Sequence, residues 1–184
     1  MQARGPLMVE HRLIERMIAV INRALLQAER AGELAPLFVD TVVDFVRVYA
    51  DRTHHGKEED ILFKALEAKT LSVADRATMN RLIEDHRSGR KTTQALVAAN
   101  MRYSNGDVSG FGDIISHLHT LTNFYPGHIE EEDRVFFPSS RSYFSDEEDQ
   151  ALLAAFWEFD RKMIHEKYEG VVEALVSSED IRLD

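Results

Sequence analysis

His54-His-Gly-Lys-Glu58-Glu59-Asp-Ile-Leu-Phe63 and His128-Ile-Glu-Glu-Glu132-Asp133-Arg-Val-Phe-Phe137 carry one pattern twice. Each gives a His, three residues, two acids, one residue and then three apolar residues. On a helix, positions i and i+4 share a face one turn apart, so His54 stands over Glu58 and His128 over Glu132. An imidazole and a carboxylate so placed can hold one cation together, and the second carboxylate oxygen is free for another. Two such helices facing each other bring two His and two Glu to one place.

Two more His extend the pattern. His11 lies on the apolar stripe Leu7, Ile14, Ile18, and His86 lies beside Leu82 and Ile83. An imidazole on an apolar stripe needs a partner, because burying a polar group unpaired costs about 1–3 kcal/mol. Four segments thus each supply an inward His. The candidate metal ligands are His11, His54, Glu58, His86, His128 and Glu132. Nitrogen with oxygen donors suits iron, manganese or zinc, and two carboxylates able to bridge suit a pair of ions.

The segments read as helices. Apolar residues recur at helical spacing from Leu7 through Ile14, Ile18, Ile21 and Leu25, and Gly32 suits the end of that run. Pro36 opens a second helix through Val42 and Val46 to Leu66. Ser72 caps a third, which stops before Ser104-Asn-Gly-Asp107. A fourth spans about Phe111 to Phe137, with a kink or break expected at Pro126-Gly127. Ser145 and Glu148 have capping-box spacing and start a fifth. No β-type alternation of useful length occurs. The predicted fold is all-α: an up-down antiparallel four-helix bundle over residues 1–140, with an additional C-terminal fifth helix in residues 141–184 packed on it as part of the same domain.

Composition narrows the function. The chain has 184 residues, a net charge of −10 and no Cys. Thiolate metal sites, iron–sulfur clusters, disulfides and a Cys nucleophile are excluded. An acidic chain is a poor binder of nucleic acid. No apolar run is long enough to span a membrane and no secretion signal is visible, so the expected location is cytoplasmic. A Glu-x-x-His motif of ferritin-like bundles and the His-Glu-x-x-His of zinc proteases are both absent.

The register in the second helix has two solutions, because His55 and Glu59 repeat the spacing of His54 and Glu58. Aligning Ile61-Leu-Phe63 with Val135-Phe-Phe137 selects His54 and Glu58, leaving His55 and Glu59 as alternates.

Glu10-His11, His54-His-x-x-Glu-Glu-x-x-Leu-Phe, Asp85-His86 and Tyr125-Pro-x-His-Ile-x-x-Glu-Asp together resemble the hemerythrin-like family, the HHE cation-binding domains, over roughly Leu7 to Pro138. The resemblance implies a four-helix bundle around two non-haem iron ions joined by an oxo or hydroxo bridge, with manganese or zinc as substitutes. Glu58 and Glu132 would be the carboxylate bridges and the four His terminal ligands. Oxygen-carrying members have a fifth His, a turn after the one on the third helix; here that position is Arg90. Arg90 is expected to turn aside or pair with an acid, and His165 or Tyr168 of the fifth helix are candidates to fill the gap. In those members the fourth-helix carboxylate stands at i+5; here it is Glu132 at i+4, with Asp133 available. The function implied is binding, storage or sensing of O2, NO or peroxide. The alternative is a di-iron redox enzyme or iron donor acting on peroxide, nitric oxide or damaged iron centres. A homo-oligomer or an unidentified protein partner completes the expectation.

Overall fold

The computed structural model describes residues 2–177 and is all-helical. We number five helices: α1 (Arg4–Ala31), α2 (residues 36–67), α3 (Val73–Ser104), α4 (residues 109–141) and α5 (Asp146–Ser177). Residues 178–184, the end of the expected fifth helix, lie outside the described residues.

The punctuation is local chemistry. Gly32 closes α1 in the left-handed conformation (φ 74°), which a glycine adopts without steric cost, and its N–H reaches the Ala28 carbonyl. Pro36 opens α2 at a position that has no intrahelical use for an N–H. The Ser72 hydroxyl accepts the Asp75 N–H at 3.0 Å to start α3. Ser145 and Glu148 form a reciprocal box: the Glu148 N–H reaches the Ser145 hydroxyl and the Ser145 N–H reaches the Glu148 carboxylate.

One expectation needs correction. The chain stays helical across Pro126, so no break occurs there. The irregularity lies elsewhere. In α2, residues Phe45–His55 and Glu58–Phe63 wind as π-helix, and Glu132–Phe136 does so in α4. These wider turns close i→i+5 hydrogen bonds and present successive side chains at a smaller angle than α-helical winding does. The Thr53 hydroxyl donates to the Val48 carbonyl, five residues back.

The apolar core is in two parts. One contains Ile14, Ile18, Val42, Ala50, Leu96, Ile114 and Tyr125. The other contains Leu7, Leu62, Phe63, Met79, Leu82, Phe136, Phe137 and Phe156. Along α1 and α3 the chain passes from the second part to the first; along α2 and α4 it passes from the first to the second. The inward His and Glu fall at the crossing point on all four helices, as a polar layer between two apolar ones.

Helix α5 runs alongside α2 in the opposite direction. Glu148 meets Lys69, Phe159 meets Gly56, Asp160 meets Lys57 and Lys167 meets Asp44, so rising numbers on one helix pair with falling numbers on the other. No described helix is long and apolar enough to cross a membrane.

Candidate metal centre

Two clusters of potential ligands lie in the polar layer. His11, His54, Glu58 and Glu132 form one; His55, His86 and His128 form the other. Within each, one ligand atom per residue lies within 4.8 Å of the rest. All seven side chains are buried.

The carboxylates tie the clusters together. Glu58 turns Oε1 to His54 Nε2 at 3.5 Å and Oε2 to His86 Nε2 at 3.5 Å. Glu132 Oε2 lies 3.2 Å from His11 Nε2 and 3.4 Å from His128 Nε2. Each carboxylate therefore touches both groups of imidazoles.

The outer nitrogen of each imidazole faces a second carboxylate. Nδ1 of His11 meets Asp133 at 2.7 Å, that of His54 meets Glu10 at 2.9 Å, and that of His86 meets Glu59 at 2.7 Å. Nδ1 of His55 lies 3.3 Å from Asp51, and that of His128 lies 3.5 Å from Asp85. A carboxylate only accepts, so in His11, His54, His55 and His86 it fixes the proton on Nδ1 and leaves the Nε2 lone pair directed inward, whereas Nδ1 of His128 makes no hydrogen bond. A carboxylate behind Nδ1 is the usual outer support of a metal-bound His. Most of these carboxylates are themselves held by a cation: Asp133 by Arg12, Glu10 by Lys57, and Asp51 and Glu59 together by Arg90.

The inner atoms lack partners. Both oxygens of Glu58 and of Glu132, and Nε2 of His55, His86 and His128, are buried without a hydrogen bond. Buried polar groups are normally satisfied, and each orphan costs about 1–3 kcal/mol. His11 and His54 bring their Nε2 atoms to 2.9 Å with both Nδ1 protons already engaged outside. Two lone pairs at that distance repel unless a cation lies between them. Burial pushes Glu58 and Glu132 well above the usual carboxylate range, and neighbouring acids add to it. Burial, reinforced by the other imidazoles, pushes His54 and His55 well below the usual imidazole value. Desolvated carboxylates among neutral imidazoles are the electrostatic complement of a pair of dications. The donor set fits a metal pair.

His55 is the main departure from the sequence reading. The choice between His54 and His55 assumed one α-helical register, whereas the π turns of α2 carry both inward, one into each cluster. Glu59 stands behind His86 rather than in the inner layer, and Asp133 stands behind His11. Arg90 turns aside to Asp51 and Glu59, as expected. His165 is exposed on α5 and belongs to neither cluster. The side chain of Tyr168 lies outside the described residues. His119 pairs with Glu29 at the surface, far from the clusters in the fold. Asp51 carried no sequence signal; Glu10 and Asp85 did, each preceding a candidate His.

A cavity of about 330 Å³ opens beside the three-imidazole cluster, lined by His55, His86, Arg90, Asp51 and Tyr125 among others.

The hemerythrin HHE cation binding domain matches residues 5–140. The chain belongs to that family, and the clusters above are its candidate cation site. No curated protein and no solved structure matches the chain.

Proposed function

We propose that this protein holds a pair of iron ions in an up-down four-helix bundle and uses them to bind a small molecule such as O2, NO or peroxide. His11 and His54 would hold one ion, His55, His86 and His128 the other, and Glu58 and Glu132 would bridge them. The observation that carries the reading is the layered support. Five inward imidazoles each have an outer carboxylate, around two carboxylates that each reach both clusters. Alternating passage between the two apolar clusters supports the up-down order. Nitrogen and oxygen donors together suit iron, which when bound supplies a Lewis-acidic, redox-active centre. The protein's own part is to hold five imidazoles in place, exclude bulk water, and admit a small molecule through the cavity at His55 and His86.

Anaerobic ferrous loading followed by elemental analysis tests this. About two irons per chain are expected if both clusters bind. No bound metal would reduce the His layer to a structural role. Absorption spectra under O2 and NO then separate reversible binding from turnover.

A further inference from the structure

Helix α5 lies outside the family match, yet it reaches the metal layer through one buried cation. Lys57 has a side chain with 0% exposure, and its ammonium donates to Glu10 and, at 2.7 Å, to Asp160 of α5. Glu10 divides its carboxylate: Oε1 takes the Lys57 ammonium and Oε2 takes Nδ1 of His54. One unbroken chain of contacts therefore runs Asp160, Lys57, Glu10, His54.

The neighbouring contact fixes the distance. A Cβ on Gly56 would stand 2.8 Å from Cζ of Phe159, so α5 approaches α2 more closely there than any other residue type would permit unaltered. Gly56 has ordinary helical φ, so space alone is its reason. Phe159 seats the helix and Asp160, next in sequence, meets the ammonium. A buried ammonium without both partners would reorient toward the one that remains or toward solvent. Either movement displaces the Glu10 oxygen that holds His54. Of the other outer carboxylates, Asp133 leans on Arg12 and Asp51 and Glu59 on Arg90, arginines that are 55% and 38% exposed.

We propose that Asp160 and Lys57 are positioning residues through which α5 sets the cation affinity of the His11–His54 cluster while leaving the three-imidazole cluster alone. By linkage the effect is reciprocal: occupancy of that cluster strengthens the seating of α5. The proposal rests on the metal reading above.

The test is cobalt(II) titration of the full chain, followed by visible absorption, with His11→Ala marking the step that belongs to the two-imidazole cluster. Loss of a direct outer partner of a metal-bound His typically costs about 10–100-fold in affinity. Asp160, two contacts further out, is expected to cost roughly three- to tenfold at that step when changed to Asn. Asp160 is about a third exposed (35%), so Asp160→Asn folds. In a Lys57→Met/Glu10→Gln background, which removes the link together with both of its buried charges, Asp160→Asn should have no further effect. In the metal-free protein, the His54 Nδ1 proton, followed by nitrogen NMR, should exchange faster in Asp160→Asn than in wild type. An equal fall at both steps, a fall that persists in the double-variant background, or an unchanged Asp160→Asn titration overturns the proposal. Failure of the wild type to take up cobalt at all overturns the metal reading instead.

Discussion

The two halves of the metal layer use the same residue types and differ in their surroundings. The His11–His54 half is sealed from solvent, at 0% and 1% exposure; of its outer carboxylates, Asp133 is held by the exposed Arg12 and Glu10 by a lysine with no exposure, anchored in turn to α5. The His55–His86–His128 half borders a cavity of about 330 Å³, and its outer carboxylates Asp51 and Glu59 are held by Arg90, which is 38% exposed. The half with more nitrogen donors is the half that faces the outside.

The strongest way to break this contrast is to remove what the halves share. Glu58→Gln should release metal from both, lowering uptake from about two ions per chain to well under one, because a bridging carboxylate serves each ion. The same change should raise the melting temperature of the metal-free protein, since it removes a buried carboxylate that has no hydrogen bond. Each kcal/mol so gained corresponds to about 2–4 °C at this chain length. A variant that still binds two ions would mean Glu58 is not a bridge, and a metal-free variant that melts lower would mean the buried carboxyl group is stabilised where it stands.

A smaller effect should split the halves. His55→Ala and His11→Ala should each leave about one ion per chain, the first losing it from the cavity side and the second from the sealed side. Elemental analysis, with accessibility of the remaining ion to a bulky chelator, reads the difference. Retention of two ions in His55→Ala would return α2 to a single His54 register.

The smallest effect is on stability. Burial lowers His128 to about 4 in the folded chain, against an ordinary value of 6.5. The unfolded chain therefore takes up the proton first. The stability this group contributes is full above pH 6.5 and is lost as pH falls toward 4. Calorimetry of the metal-free protein should show melting temperature falling over that range, with a shallower slope in His128→Leu. Equal slopes would show that His128 does not titrate differently in the folded and unfolded chains.

Much of this layout is legible in the sequence. Gly32, Pro36, Ser72 and Ser145 mark helix ends through local hydrogen bonding, which needs no knowledge of the rest of the chain. His11 and His86 stand beside apolar residues at helical spacing, His54 and His128 open a repeated motif, and the structure brings all four to one layer. His55 was hidden because periodicity assigns one winding to a helix, and π turns leave no mark in residue type. Pro126 misled for the opposite reason: its missing N–H is a local signal, and the packing of α4 against α1 and α3 overrides it. The outer carboxylates are hard to see because the nearest acid in sequence is seldom the partner in space; Asp133 serves a His 122 positions away.

The π turns of α2 have a consequence for how this chain should be aligned with others. A regularly wound helix would present the same two faces with a different residue count between Ala50 and Leu62. A residue-for-residue comparison across this stretch therefore slips, and a His opposite His54 in one relative can stand opposite His55 in another. Ligand rows in such comparisons are better matched by the side of the bundle they enter than by their position in the string.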